Sequence, residues 1–254
     1  MHNVFHNNLT KYVSPSPHAK YGEFLSDGDV ERMDKSLCGP IAGIGGHRLC
    51  INELSKRPGS VAFTMVRHPI SRFLSHLNWQ INMKNVDWSI EEFCEDSHFH
   101  NFQTYRIAGK RDLELAKETV VAKFDVIGTL EQYDETMVLL QNAMGRGFNI
   151  NYEQSNVQNY AGKTYRLEQL SGKELTLLED VNSLDTALYR WILDELLPEQ
   201  IDKIDQFKAK LQSHVARKGK YRFPKRTLLK RKLSNYWLKT FVQKHRPSSL
   251  KGYH

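Results

Sequence analysis

The sequence has few cysteines and no long apolar run. Its three cysteines, Cys38, Cys50 and Cys94, are irregularly spaced and form no C-x-x-C pair, which excludes a disulfide framework and favours a reducing compartment. No run of about 20 apolar residues is present, so no segment is expected to span a membrane. The N-terminal residues lack the apolar core of a secretory signal. We therefore expect a cytoplasmic or peripherally membrane-associated protein.

The sequence also lacks a spaced set of metal ligands and a complete glycine motif for phosphate. His98 and His100 are two residues apart with no third ligand nearby, so no metal site is expected. The glycine-rich stretch 37–54 fits neither the dinucleotide fingerprint nor a Walker loop. Its glycines are interpreted as allowing the backbone to pass close to another strand or a ligand. The G-K-T at 162–164 follows no apolar strand, and a Walker loop is rejected there too.

Negative charge is missing from the C-terminal end of the chain. The formal net charge is +7, yet residues 217–254 contain thirteen Lys or Arg and no Asp or Glu. We divide the chain into a polar N-terminal segment (1–35, loop with one helical turn near Val30 to Met33), a folded domain (36–216) and a basic extension (217–254). Leucines and aromatics among the cations suit an anionic membrane or a polyanionic glycan, with a plain solvated extension as the alternative. Nucleic acid is disfavoured because no recognisable reading module is present.

The stretch VAFTMVRHPISRFLSHLNW (61–79) predicts a buried strand followed by a helix. Its first residues are mostly apolar, the later apolar residues recur at helical spacing, and Pro69 suits the first helical turn. Arg67 lies between the two elements, and Ser75 lies on the helix near Arg72. Free N–H groups, the helix dipole and the guanidinium groups make this turn suitable for an anion. The alternative is that Arg67 caps carbonyls or pairs with a carboxylate.

The patterns that follow predict alternating helices and strands. The predicted elements are helices at 111–124, 131–145 and 183–197 and a strand at 125–130. With the strand at 61–66, this order indicates a right-handed βαβ arrangement and a mostly parallel sheet. Pro198 is expected to break the last of these helices and to begin another that runs to about His214.

The string V-R-H-P-I-S-R-F-L-S-H-L resembles a segment of sulfotransferases that use 3′-phosphoadenosine 5′-phosphosulfate (PAPS). Their pattern is R-[DN]-P-x-x-R-x-x-S, and the resemblance is strongest to the carbohydrate group that includes heparan sulfate 2-O-sulfotransferases. In that family the first Arg and the Ser hold the 3′-phosphate, which implies this role for Arg67 and Ser75, with Arg72 at the second Arg. His68 stands where the family has an acidic or amide residue, and both phosphate ligands remain. The resemblance implies a three-layer, P-loop-like α/β fold with a mostly parallel sheet flanked by helices.

The same resemblance assigns roles to residues outside this motif. The G-G-H-R segment ahead of Arg67 implies that His47 takes the proton from an acceptor hydroxyl, a role that suits an imidazole. An ordinary loop histidine is the alternative. The residues expected to face a carbohydrate acceptor are Asn101, Gln103 and Arg106. A polar loop is expected to cover the nucleotide through Lys163, Thr164 and Arg166, with a plain solvated loop as the alternative.

One element of the resembling family is missing from the sequence. Those enzymes hold the 5′-phosphosulfate in a strand followed by K-x-G-[GST]-[ST], and no such loop is found in residues 1–46. Either the chain is a truncated product that has lost its first strand and loop, which we favour, or it is a divergent member that lacks catalysis or borrows the loop from a partner. A Golgi membrane location is expected only if an N-terminal anchor has also been lost.

These features together predict a sulfotransferase that transfers a sulfuryl group from PAPS to a hydroxyl of a carbohydrate acceptor. PAPS is the expected co-substrate, and no metal is expected to take part. The alternative is a catalytically inactive or truncated sulfotransferase-like protein that binds a nucleotide or a glycan.

Overall fold

The computed structural model describes most of the chain. The described residues are 2–9, 11–13, 24–36, 40–46, 49–153, 160, 162–218 and 221–237. The helices of the first half are α1 (His2–Asn8), α2 (Asp27–Ser36), α3 (Pro69–Lys84), α4 (Ile90–Glu95), α5 (Phe102–Ala108) and α6 (Leu113–Lys123). Those of the second half are α7 (Tyr133–Met144), α8 (Gly172–Val181), α9 (Ser183–Trp191), α10 (Leu197–Asp202), α11 (Phe207–Lys218) and α12 (Lys225–Trp237).

Two small parallel sheets lie among these helices. The first pairs β1 (Tyr12–Val13) with β2 (Gly43–Ile44), and the second pairs β3 (Phe63–Val66) with β4 (Val126–Thr129). In the second pair Val66 is opposite Thr129, so both strands end at the same edge. The predicted mixed α/β class and both predicted strands are confirmed. Helices α3 to α6 form the crossover between β3 and β4, as a parallel pair requires.

Helix α3 follows the predicted strand with two residues between them. Pro69 is its first residue, and the apolar residues Ile70, Phe73, Leu74 and Leu77 are buried, as their spacing predicts. The helix ends at Asn85, whose left-handed backbone (φ 55°) stops further helical hydrogen bonding. Its N-terminus therefore lies at the carboxyl edge of the sheet.

The prediction of loop is wrong for His2–Asn8, which form α1, whereas α2 contains and extends the helical turn predicted near Val30 to Met33. Helix α1 places Val4 in the main core with 1% of its surface exposed, and α2 buries Val30 and Met33 in a separate cluster. The apolar residues at helical spacing are few here and are interrupted by polar ones. The local sequence therefore indicates loop more strongly than helix. The burial of these apolar residues comes from partners that lie far away in the sequence.

The basic extension supplies those partners for α1. Thr227 Oγ1 on α12 donates to Asn7 Oδ1 at 2.9 Å, and Ser234 Oγ donates to the carbonyl of Tyr12 at 3.1 Å. Tyr221, just before α12, accepts from Asn7 Nδ2 at 3.1 Å through its hydroxyl. As far as residue 237, the extension is therefore packed on the N-terminal segment. Within the described ranges, no helix has the length and apolar character needed to cross a bilayer.

Pro198 lies at the start of a helix segment, as predicted, but it does not break the helical backbone, and that segment ends at Asp202 rather than near His214. Helix α9 continues through a π-helical turn at Ile192–Leu196 into α10, and Pro198 is the second residue of α10. The wider π turn just before Pro198 leaves more room for the proline ring than a regular helical turn would. The chain turns instead before α11, at Gln206, which has a left-handed backbone (φ 54°).

Candidate functional site

Arg67 lies at the carboxyl end of β3, and its backbone is held by a single side chain. The N–H of Arg67 donates to Oε1 of Gln103 at 2.7 Å, and Nε2 of Gln103 donates to the Arg67 carbonyl at 2.8 Å. The Arg67 side chain is half-buried. Its guanidinium makes no hydrogen bond or ion pair with any residue in the described part of the chain. The alternative roles considered for Arg67, capping a carbonyl or pairing with a carboxylate, are thus not found there.

The next residue is fixed from the neighbouring strand. The N–H of His68 donates to Oε1 of Glu131, just past the end of β4, at 2.9 Å. The His68 ring meets the edge of Tyr189 with 5.7 Å between centroids. Burial and the nearby Glu131 carboxylate raise the pKa of Tyr189 to about 12. Glu131 therefore ties β4 to the β3–α3 turn.

Helices α5 and α9 cap one another near this turn. Oδ1 of Asn101 accepts from the N–H groups of Leu184 and Asp185 at 2.8 and 3.1 Å. In return, the carboxylate of Asp185 accepts from the N–H groups of Gln103 and Thr104 at 3.0 and 2.7 Å. Each side chain satisfies N–H groups that a helix start leaves without intrahelical partners. Asp185 is 1% exposed, so this exchange is internal to the fold.

These contacts give Asn101 and Gln103 positioning roles. The Asn101 oxygen and both ends of the Gln103 amide are bonded to backbone groups. The expectation that they bind an acceptor sugar gains no support from this geometry and stays a prediction. The hydrogen bonds of Asn101 join α5 to α9, and those of Gln103 fix the backbone of Arg67.

Two further predicted site residues, Arg72 and Arg106, meet at one aromatic ring. Both guanidinium groups lie 4.8 Å from the centroid of Phe102, at the start of α5. Arg72 Nη2 also donates to the carbonyl of Phe99 at 3.0 Å. With Arg67 held by the adjacent Gln103, the structure gathers three arginines around the first turns of α3 and α5. Such a cluster is electropositive and suits an anion.

Four polar residues of α3 form a stripe beside its buried face. They are Ser71, Ser75, Asn78 and Asn82, whose spacing of four, three and four residues keeps them within about 60° of the helix surface. Asn78 grips the backbone of Tyr165, accepting its N–H at 2.7 Å and donating to its carbonyl at 2.9 Å. Asn82 donates to the carbonyl of Lys163 at 2.9 Å. Residues 163–165 of the predicted polar loop therefore pack along α3.

The loop runs from the far end of α3 back toward Ser75. Thr164 and Arg166 flank Tyr165 at Asn78, which is one turn from Ser75, about 4.5 Å along the axis. Arg166 is exposed and Thr164 is half-buried. Both expected nucleotide ligands therefore stay near the predicted phosphate residue, without a contact to it that defines their role.

Lys163 lies farther from Arg67 than Thr164 and Arg166 do, and its expected contact with the nucleotide stays a prediction. It is bound at Asn82, which is thirteen residues beyond Pro69 and hence about 20 Å from the turn that carries Arg67. Its Nζ pairs with Asp87 at 3.2 Å and lies 5.3 Å from the ring centroid of Tyr165, and these two neighbours raise the pKa of Lys163. Lys163 and Arg67 do not converge on one phosphate.

A surface depression of about 330 Å³ adjoins Lys163 at the end of α3. Its lining residues are Ile81, Asn82, Asn85, Val86, Asp87, Gly162 and Lys163. It lies at the opposite end of the helix from Arg67, so it does not belong to the arginine cluster.

His47, the expected general base, lies outside the described residues. In the ranges that are described, no group of three or more His, Cys, Asp or Glu side chains is arranged to hold a metal ion.

Sequence reasoning did not identify Asp185 as a residue that positions the site. Asp185 occupies the first position of the buried stripe that continues through Leu188, Tyr189 and Ile192. A carboxylate on an apolar stripe signals a buried charged cap, because an ionised group is rarely buried without strong hydrogen-bond donors. The bond from the His68 N–H to Glu131 joins residues 63 positions apart, and only the tertiary structure shows it.

Comparison with known proteins adds no assignment to this geometry. No protein-family model matches the chain, and no curated protein matches it.

Proposed function

We propose that the protein is a PAPS-dependent sulfotransferase of the three-layer, P-loop-like α/β type that acts on a carbohydrate hydroxyl. The observation that carries the proposal is the guanidinium of Arg67, a half-buried residue at the carboxyl end of β3, which has no partner in the described part of the chain. A guanidinium that no protein group engages, beside a helix start, is available to bind an anion. Phosphate suits the site because the guanidinium fork matches two of its oxygens.

Ser75 and the start of α3 support the same ligand. Ser75 follows Pro69 by six residues, about 9 Å along the helix, a span that an arginine side chain and a phosphate group together can bridge. The N–H groups of Ile70 and Ser71 precede the first intrahelical bond, which Arg72 makes to His68. The Glu131 carboxylate accepts a hydrogen bond from the N–H of His68, which limits its repulsion of an anion.

The proposed reaction is an in-line transfer that needs a base and an anion site. The acceptor hydroxyl oxygen attacks sulfur, the bond from sulfur to the phosphate oxygen breaks, and 3′-phosphoadenosine 5′-phosphate leaves with the electron pair. His47 receives the hydroxyl proton in this scheme. Arg67 and Ser75 hold the 3′-phosphate, and Arg72 and Arg106 add positive charge that favours anionic substrates.

A second candidate is a protein that binds the nucleotide or a glycan without transferring the sulfuryl group. It is favoured by one sequence observation, because no K-x-G-[GST]-[ST] loop is found in residues 1–46. Both candidates use Arg67 in the same way, so binding and transfer have to be measured separately.

The binding test compares two nucleotides that differ in the 3′-phosphate. Calorimetry with 3′-phosphoadenosine 5′-phosphate and with adenosine 5′-phosphate is carried out on the parent protein and on Arg67→Gln, Ser75→Ala and Arg146→Gln. Arg67→Gln should weaken binding of the 3′-phosphorylated nucleotide about 10- to 100-fold, and Ser75→Ala about 10-fold, because hydrogen bonds to charged groups are lost. Binding of adenosine 5′-phosphate should change little. Arg146 is an exposed arginine in the turn after α7, so Arg146→Gln should match the parent.

Equal binding of both nucleotides by the parent, or undiminished binding by Arg67→Gln, would refute the proposed phosphate site. Transfer is then measured with radiolabelled PAPS and a desulfated heparan acceptor. Label in the polysaccharide, lost in His47→Ala while nucleotide binding is kept, supports the enzyme. Nucleotide binding without any labelled polysaccharide supports the second candidate.

A further inference from the structure

Helix α12 has one face packed on the fold and an opposite face that is apolar and exposed. Thr227 and Ser234 face α1 and β1 through the hydrogen bonds described above. On the other side, Leu229, Leu233 and Tyr236 are 57%, 58% and 67% exposed. Their spacing of four and three residues puts them on one stripe. Large apolar side chains are seldom exposed together in this way unless the surface binds something.

Positive charge borders this stripe on both sides. At 100° per residue, Lys225 and Lys232 lie along one edge of the stripe and Arg226 lies along the other, and all three are exposed. The helix sequence, KRTLLKRKLSNYW, contains five cations and no acidic residue. The exposed face is therefore an apolar stripe framed by cations, here called the α12 face.

The composition of the α12 face discriminates among its possible partners. A second copy of the chain would bring two sets of like charges together, which opposes self-association through this face. A nucleic acid or an acidic polysaccharide would neutralise the cations but leave the leucines in water. An anionic bilayer surface can bind both the cations and the apolar stripe. Lipid phosphates pair with the cations, and the region where the headgroups meet the acyl chains takes up the apolar side chains.

We propose that the α12 face docks this protein on membranes rich in anionic phospholipid. The helix has thirteen residues, about 20 Å in length, and lies in the plane of the interface with Leu229, Leu233 and Tyr236 below the headgroups. The opposite face keeps its contacts to α1, so docking requires no unfolding. This inference rests on α12 alone and does not depend on the proposed sulfotransferase activity.

The test is vesicle sedimentation with the full-length protein. Vesicles of phosphatidylcholine alone are compared with vesicles that contain about one third phosphatidylserine. The parent should bind the anionic vesicles at least tenfold more strongly, and the binding should fall as salt is raised. Leu229→Gln/Leu233→Gln and Lys225→Glu/Arg226→Glu should each lower the partition coefficient at least tenfold, because each removes one of the two contributions.

Matched controls carry the same substitutions on other exposed surfaces. Met83→Gln/Val121→Gln removes apolar side chains that are 62% and 68% exposed away from α12. Lys208→Glu/Lys210→Glu reverses two exposed charges on α11. Both controls should bind vesicles like the parent, and circular dichroism should show the same helix content in every variant.

Three results would overturn the proposal. The first is a parent that does not bind anionic vesicles. The second is a leucine double variant that binds them as well as the parent, which would mean that the face binds polyanions through charge alone. The third is a concentration-dependent dimer, seen by sedimentation velocity, that the leucine double variant abolishes while the parent ignores vesicles.

Discussion

Single polar side chains hold the β3–α3 turn in place. Gln103 bonds both backbone groups of Arg67, Glu131 accepts the N–H of His68, and Asp185 fixes the start of the helix that carries Gln103. Since Arg67 lies between two of these contacts, its side chain starts from a well-defined backbone position. Preorganisation of this kind lowers the entropic cost of binding an anion.

Asp185 is the most deeply buried of these side chains, so its charge should matter for stability. Asp185→Asn keeps the shape but replaces one charged acceptor oxygen with a donor that opposes the N–H groups of α5. We expect a loss of about 1.5–3 kcal/mol in the free energy of unfolding, the cost of weakening hydrogen bonds to a buried charged group. Urea denaturation monitored by circular dichroism measures it.

Asp180→Asn is the matched control, since Asp180 is exposed near the end of α8. It should change stability by less than about 0.5 kcal/mol. An Asp185→Asn protein as stable as this control would show that the reciprocal caps of α5 and α9 do not depend on the charge.

Helix α7 approaches strand β4 closely because a strand residue has no side chain. A Cβ on Gly128 would lie 2.1 Å from Cγ2 and Oγ1 of Thr136. Thr136 Oγ1 lies 3.2 Å from both the N–H and the carbonyl of Thr129 and 2.7 Å from the carbonyl of Gln132. The glycine therefore lets a buried hydroxyl of α7 reach the end of the strand, beside Glu131.

Gly128→Ala should separate these two elements. The added methyl group has no space in the buried contact, and we expect a loss of about 1–3 kcal/mol, the usual cost of overpacking a core. Thermal unfolding followed by calorimetry gives the difference. Gly147→Ala is the matched control because nothing lies within 4 Å of a Cβ at that position. Equal melting temperatures for the two variants would contradict the close packing of α7 on β4.

In the whole molecule, the two ends of the described chain form one packed unit. Helix α1 contributes Val4 to the main core, and α12 covers it from outside. His6 of α1 is 2% exposed and contacts the ring of Tyr12 edge-on, with Arg231 and Lys230 of α12 nearby. Burial and these two cations lower the pKa of His6 to about 4. The terminal unit thus contains a histidine that resists protonation.

This arrangement predicts a loss of stability in mild acid. The unfolded chain takes up a proton on His6 near pH 6.5, whereas the folded chain does so only near pH 4. In this pH window the chain therefore takes up a proton when it unfolds. The contribution of His6 to the free energy of unfolding is fully present above pH 6.5 and is lost as the pH falls below it. Burial also lowers the pKa of His214, which adds to the decline despite the neighbouring carboxylate of Asp134.

The contribution of His6 is measured by comparing the parent with His6→Gln between pH 7 and pH 4.5. The parent should lose about 1–2 kcal/mol more than the variant over this range, whatever their stabilities at pH 7. A His6→Gln protein with the same pH slope as the parent would show that α1 and α12 do not keep His6 neutral.

Some of the predicted site residues lie together in the structure and one lies apart. Arg67, Arg72 and Arg106 were chosen from the sequence, and they lie around the first turns of α3 and α5. Lys163 was chosen in the same way, yet Asn82 holds it at the other end of α3. Periodicity indicates which residues follow a strand or start a helix, but it cannot state where a polar loop will lie on a helix surface.

The local sequence predicts the type and order of β3, α3, β4 and α7. Strand and helix patterns repeat within a few residues, so they can be recognised without knowing the distant partners. The burial of α1 is not predicted in this way, since its bond from Thr227 to Asn7 spans 220 positions. The caps that join Asn101 to Asp185 span 84. Contacts between residues so far apart form only in the folded chain. They are the reason why part of a polar N-terminal segment and the carboxylate of Asp185 are buried.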